Sequence, residues 1–93
     1  LQPLDTAALV EESLALVAPT ARASGVGLLH AAREQPLHVQ ADPVRLRQVL
    51  VNLLSNGVKY NRSGGQVIVE ERPVGADGVC ITVTDTGVGL TPE

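Results

Sequence analysis

The sequence predicts a two-layer α/β sandwich, an α+β domain in which two helices cover one face of a sheet of four or five strands. Two segments repeat apolar residues at helical spacing, and two later segments alternate apolar and polar residues as strands do. A chain of 93 residues has room for one small domain. Packing its helices against its strands is therefore the way to bury the apolar faces of both.

The composition excludes several classes of function. Hydrophobic residues make up 44% of the chain and are mostly Leu, Val and Ala, and Tyr60 is the only aromatic residue. The net charge is −3 and the basic residues are scattered, so we expect no nucleic-acid partner. No apolar run approaches the roughly 20 residues that span a bilayer. A single cysteine, Cys80, excludes an internal disulfide, and no cluster has zinc-ligand spacing.

The first half of the chain is predicted to contain one helix and two or three short strands. Residues 1–4 fit an edge strand or the tail of a linker. A helix capped by Asp5 or Thr6 should follow and end at Gly25. Segments 27–31 and 37–41 read as strands joined by the polar turn 33–36, and they carry His30 and His38, which we interpret as structural or surface residues.

The central stretch, residues 42–61 with the sequence DPVRLRQVLVNLLSNGVKYN, is predicted to be a second helix. Asp42 can accept hydrogen bonds from the first turn, and Pro43 suits the first helical position, where its missing N–H is not needed. An apolar stripe follows at a spacing of three and four residues: Leu46, Val49, Leu50, Leu53, Leu54 and Val58. This stripe should be buried.

A separate polar stripe runs along the same helix and contains Arg45, Gln48, Asn52, Ser55, Asn56 and Lys59. Asn is disfavoured by up to about 0.7 kcal/mol relative to Ala inside a helix, so two in mid-helix cost stability. The stripe is either a solvated helix face or a surface that meets a ligand. In the second case, amide oxygens suit a hard cation and a lysine suits phosphate.

The end of the chain is predicted to be a hairpin of strands 66–72 and 79–85, joined by the loop 73–78. Strand alternation puts Asp85 on the same side as Ile81 and Val83, the side that the helices cover. A carboxylate aimed inward is costly unless donors bind it. The sequence D-T-G-V-G-L begins at Asp85, and on its own it fits a plain turn as well as a ligand-binding loop.

Helix and hairpin together resemble the ATP-binding domain of sensor histidine kinases, within the superfamily that includes gyrase, the heat-shock chaperone and mismatch-repair ATPases. NLLSNGVKY is similar to the asparagine box of this family, and DTGVGL is similar to its first glycine box. The resemblance implies a Bergerat-type fold with a mixed sheet. The order Lys-Tyr after the second asparagine favours the sensor kinases over the other branches.

The resemblance also implies a role for each matching residue. Asn56 is expected to bind the Mg²⁺ that bridges the phosphates of ATP. Asn52, one turn earlier on the same stripe, is expected to support Asn56, and Lys59 is expected to contact phosphate. Tyr60 is expected to pack near the nucleotide, and Asp85 to accept a hydrogen bond from the adenine amino group. Two glycines are expected to make room for the base and to begin the lid: Gly87 and Gly89. Gly57 stands where the family more often has Ala.

Compared with the family, residues 1–93 match only the N-terminal part of the ATP-binding domain. The lid with its second glycine box, the last strands and the phosphoacceptor histidine have no counterpart in this sequence. We therefore expect a piece of a longer kinase that does not transfer phosphate by itself and that self-associates through its incomplete sheet. The expected setting is cytoplasmic, and whether the parent protein is membrane-anchored is left open.

In the parent protein, the resemblance implies that ATP phosphorylates a histidine on a dimerisation domain of the same chain. The phosphoryl group then passes to a response regulator. Two alternatives stay open on the residues alone. One is a nucleotide- or partner-binding module without transfer activity, and the other is a different ATPase of the same superfamily.

Overall fold

The computed structural model describes residues 2–31, 37–75 and 78–85. Five strands and two helices follow one another in these ranges: β1 (Gln2–Asp5), α1 (Thr6–Ser24), β2 (Gly27–His30), β3 (His38–Ala41), α2 (Pro43–Lys59), β4 (Gln66–Val74) and β5 (Gly78–Asp85). Every predicted helix and strand is present within about two residues of its expected bounds, and the α+β sandwich is confirmed. Neither of the two described helices is long and apolar enough to cross a membrane.

The strands form two sheets. In the larger one, β4 lies between a parallel neighbour, β2, and an antiparallel neighbour, β5, so this sheet is mixed. In the smaller one, β1 pairs with β3 in antiparallel fashion, with Gln2 opposite Ala41. The strands predicted on either side of the turn 33–36 therefore belong to different sheets, and that turn lies outside the described residues. Pairing between β2 and β4 is long-range, which no local pattern reveals.

The core lies between the two helices and the larger sheet. The side chains that are almost completely buried come from both layers: Val10, Val17, Leu50, Leu54, Val58, Val67 and Val69. Ile81 and Val83 of β5 pack against them, which confirms the predicted inward face of that strand. Burial of these aliphatic side chains supplies the main driving force for the fold, at about 1.5–3 kcal/mol for each fully buried side chain.

The buried side of α2 is narrower than its apolar stripe. Leu50, Leu54 and Val58 are buried in a single row with a spacing of four residues, but Val49 is 53% exposed and Leu53 is 46% exposed. The prediction that the whole stripe is buried was therefore wrong for Val49 and Leu53. These two residues lie about 100° around the helix from the buried row, beyond the surfaces that contact α2.

The hairpin of β4 and β5 is confirmed, with a shorter connection than predicted. Val74 and Gly78 still form the last pair of the ladder, so only residues 75–77 connect the strands. Gly75 has φ 63°, a left-handed conformation that glycine adopts without the clash of a Cβ atom. Half of the segment predicted as a loop, residues 73, 74 and 78, therefore extends the ladder.

Candidate nucleotide-binding site

Helix α2 begins as its sequence predicts. Asp42 has extended backbone angles, and its side chain accepts hydrogen bonds from the backbone N–H groups of Val44 at 3.0 Å and Arg45 at 3.4 Å. Pro43 occupies the first turn, where the helix does not use its missing N–H. This cap fixes the start of the helix and hence the direction in which its later polar side chains project.

Asn52 and Asn56 lie one turn apart on the exposed side of α2. Among the residues that the structure describes, neither side-chain amide forms a hydrogen bond. On the opposite side of the helix, Leu50 and Leu54 are packed into the core, so the helix cannot rotate to hide the asparagines. The two asparagines therefore stay on the exposed face of α2, where their amide oxygens are open to a ligand.

Lys59 and Tyr60 end the helix with a cation beside an aromatic ring. The Nζ atom of Lys59 lies 5.4 Å from the centroid of the Tyr60 ring, a cation–π distance. The backbone N–H of Tyr60 donates to the carbonyl oxygen of Asn56 at 3.0 Å, which ties the two residues to the last turn. Both side chains are exposed. A phosphate group approaching this end of α2 would meet a positive charge.

Asp85 is the last residue of β5 and lies directly opposite Val67 of β4. Val67 is completely buried, so the prediction that Asp85 lies on the helix-covered side of the sheet is confirmed. The expectation that the carboxylate is buried there was wrong, because Asp85 is exposed. It ends the outer strand of the described sheet, beyond the area that the helices cover. Gly87 and Gly89 lie outside the described residues.

One close contact relates the polar stripe of α2 to Asp85. A Cβ atom at Gly57 would come within 3.1 Å of Cγ2 of Val67, so the helix backbone lies almost against that strand. Val67 is the register partner of Asp85, and Asn56 precedes Gly57 in the helix. The end of α2 and the end of β5 thus meet at the same edge of the molecule. Gly57 permits this approach because it has no side chain.

A shallow depression of about 390 Å³ lies between α1 and α2. Its lining residues are Leu16, Arg47, Gln48, Val51 and Asn52. Of the predicted site residues, only Asn52 contributes to it. Arg47 was not among the candidates that the sequence suggested, and it pairs with Glu12 of α1 at 3.1 Å. Nothing in the sequence indicates this pair, because the two residues are 35 positions apart.

The arrangement of two helices on a mixed sheet is shared with solved domains of similar fold. The catalytic domain of histidine kinase ThkA superposes with a TM-score of 0.80 at 22% identity, over 88% of this chain and 56% of that chain. At this identity, the likeness concerns the fold alone. Another structure of the same kinase, in complex with the response regulator protein TrrA, superposes with a TM-score of 0.78 at 22% identity, over 88% of this chain and 24% of that chain.

Sequence comparison then shows the family. The family of histidine kinase-, DNA gyrase B- and HSP90-like ATPases matches residues 41–93, and the chain belongs to it. Sensor histidine kinase ZraS of Salmonella typhi is 39% identical over 93 residues, covering 100% of this chain and 20% of its own. Sensor protein GacS of Pseudomonas syringae pv. syringae is 35% identical over 95 residues, covering 98% of this chain and 10% of its own. The chain thus spans a fifth or less of the length of these relatives.

Proposed function

We propose that the chain forms part of the Mg²⁺–ATP site of a two-component sensor histidine kinase. The observation that carries this proposal is the polar stripe of α2, in which two exposed asparagines one turn apart are followed by Lys59 and Tyr60. A solvated helix face would not require two poor helix formers in mid-helix. Membership of the ATPase family supports nucleotide as the ligand.

The proposed roles follow the chemistry of each side chain. The amide oxygen of Asn56 binds Mg²⁺, which prefers oxygen ligands, and Asn52 supports it from the preceding turn. Lys59 contacts phosphate as a point charge, and Tyr60 packs near the nucleotide. Asn52 and Asn56 fit a magnesium–phosphate group, because their amides are exposed and form no hydrogen bond among the described residues, and Lys59 is exposed beside them. Bound Mg²⁺ would neutralise the phosphate charge.

The adenine end of the ligand is assigned to Asp85. A carboxylate accepts hydrogen bonds only, so it suits the exocyclic amino group of adenine. Gly87 and Gly89 are proposed to give the base room and to begin a lid over it. Asp85 lies on the strand next to the one that Gly57 contacts, which supports its assignment to the same site as Asn56.

In the parent protein, the phosphoryl group would pass from ATP to a histidine on a dimerisation domain and then to a response regulator. The sensor kinases that match the chain support this sequence of transfers, and so does the complex of ThkA with a response regulator. We propose a cytoplasmic location for this domain. We expect no phosphate transfer by residues 1–93 alone.

Calorimetric titration of the chain with Mg²⁺–ATP tests the proposal. We expect binding that Asp85→Asn weakens about tenfold or more, because a hydrogen bond to a charged group contributes roughly 1.5–3 kcal/mol. Glu70→Gln is the matched control, since it makes the same change at an exposed position of β4 outside the proposed site, and it should leave the affinity unchanged.

Each contrary result has a defined meaning. No heat of binding at millimolar nucleotide would overturn the proposal that this chain holds ATP. Equal affinities of the original chain and Asp85→Asn would remove Asp85 from the adenine contact. Equal losses of ATP affinity in Asp85→Asn and Glu70→Gln would point to a general effect of net charge and contradict a specific contact between Asp85 and adenine.

A further inference from the structure

A second polar cluster lies away from the proposed nucleotide site, under the first half of α1. It joins side chains from three elements: Thr6 and Glu11 of α1, His30 of β2 and Glu71 of β4. The side chain of Glu71 is 2% exposed and that of His30 is 13% exposed, whereas that of Glu11 is 65% exposed. An acidic residue as buried as Glu71 is rare and requires hydrogen-bond donors.

The cluster is a continuous chain of hydrogen bonds. The hydroxyl of Thr6 donates to Oε2 of Glu71, while Oε1 of Glu71 lies 2.6 Å from Nε2 of His30. The other ring nitrogen of His30, Nδ1, lies 2.6 Å from Oε2 of Glu11. The backbone N–H of Thr6 donates to the carbonyl oxygen of Leu37, just before β3. The cluster therefore links α1 to the larger sheet and to the start of β3.

The geometry specifies the protonation state of His30. Each ring nitrogen faces a carboxylate oxygen, and carboxylates only accept hydrogen bonds. A neutral imidazole has one N–H, so only the doubly protonated ring can donate to Glu11 and Glu71 together. Partial burial lowers the pKa of His30, but the hydrogen bonds and negative charges of Glu11 and Glu71 outweigh it, so the pKa is raised above the ordinary 6.5.

Within residues 2–31, 37–75 and 78–85, the charged groups that face His30 are Glu11 from α1 and Glu71 from β4. On β5, the residue opposite Glu71 is Ile81, which is apolar. Among the described residues, no third charged side chain is paired with His30. No group of three acidic, histidine or cysteine residues in the described ranges could hold a metal ion, and the two carboxylates lie at opposite ring nitrogens.

We propose that His30 is a pH-responsive clamp that holds α1 on the sheet by bridging exposed Glu11 to buried Glu71. When the ring loses one proton, the remaining proton stays on Nε2, toward Glu71. A buried carboxylate that loses a donor cannot replace it with water, whereas Glu11 can. The neutral ring therefore keeps its contact with β4 and loses its contact with Glu11, while Thr6 and the buried side chains of α1 still hold the helix on the sheet.

The direction of the effect follows from linkage. Because the pKa of His30 is raised in the folded protein, the clamp stabilises the fold fully below the unfolded value of about 6.5. This stabilisation is lost as the pH rises through the higher pKa of the folded state. The clamp is thus closed in mildly acidic solution and opens toward alkaline pH, independently of nucleotide binding.

Nitrogen-detected NMR titration of the chain tests this proposal. We expect His30 to titrate above the ordinary 6.5, and its neutral form to carry the proton on Nε2. Glu11→Gln should lower the midpoint of His30 and leave the tautomer unchanged. Glu12→Gln is the matched control because Glu12 is the next residue in α1 and pairs with Arg47, and it should leave the midpoint of His30 unchanged.

Two results would overturn the proposal. One is a neutral His30 with its proton on Nδ1, since the ring would then hold Glu11 and release Glu71. The other is a His30 midpoint that Glu11→Gln does not move. Glu11 is exposed, so its substitution should not prevent folding, and the test does not depend on replacing buried Glu71.

Discussion

A Cβ atom at Gly57 would lie 3.1 Å from Cγ2 and 3.4 Å from Cγ1 of Val67. This contact sets the distance between α2 and β4, because Val67 is completely buried and its branched side chain has little freedom to turn. The helix therefore carries a glycine at a position where glycine costs about 1 kcal/mol in helix propensity. The close approach offsets that cost.

We predict that Gly57→Ala destabilises the chain by about 1 kcal/mol, because overpacking against Val67 exceeds the gain in helix propensity. The same change should be stabilising in a Val67→Ala background, where the added methyl group has space. Urea unfolding of the four proteins of this double-mutant cycle measures the coupling. Stabilisation by Gly57→Ala alone would show that the strand moves aside easily.

A second prediction concerns the burial of α2. Leu54→Ala should lower the free energy of unfolding by about 2–5 kcal/mol, as expected for a fully buried leucine. Leu53→Ala, its neighbour in the same helix, should cost less than about 1 kcal/mol because its side chain is 46% exposed. Urea unfolding compares the two directly. Similar losses would mean that Leu53 is covered by something other than the described residues.

The cap of α2 gives a third prediction. Asp42→Ala should lower the free energy of unfolding by about 1 kcal/mol, because the N–H groups of Val44 and Arg45 lose their acceptor. Asp42→Ser keeps a capping oxygen and should recover most of the loss. Unfolding measured by circular dichroism tests both substitutions. A loss that serine does not recover would assign the effect to the charge of Asp42 and contradict the capping explanation.

Removal of metal gives a fourth prediction, which depends on the proposed function. Chelation of Mg²⁺ should weaken ATP binding about tenfold or more, and Asn56→Ala should make the affinity nearly independent of Mg²⁺. Asn56→Asp retains an oxygen ligand and should keep the dependence on Mg²⁺. Calorimetry with and without chelator measures each case. An unchanged Mg²⁺ dependence in Asn56→Ala would remove Asn56 from the proposed metal site.

Local patterns in the sequence were sufficient to locate the secondary structure. The cap Asp42, the end of α1 at Gly25 and the hairpin of β4 and β5 all follow from short-range chemistry that neighbouring residues supply. For α1 the sequence offered Asp5 or Thr6, and Asp5 is the cap. The side of the sheet on which Asp85 lies follows from strand alternation alone. The candidate residues Asn52, Asn56 and Lys59 were also evident, because polar residues at helical spacing opposite an apolar stripe are visible without a fold. The role expected of Tyr60 came from the family resemblance.

Periodicity and short motifs along the chain thus predict the elements, their polar and apolar sides and the family resemblance. Which parts of those sides are covered depends on the fold: Val49 and Leu53 stay exposed, and β2 and β3 lie in different sheets. The fold also brings Glu11, His30 and Glu71 together across 60 residues of sequence. Burial, strand pairing and protonation depend on contacts between distant segments, and periodicity along the chain does not encode such contacts.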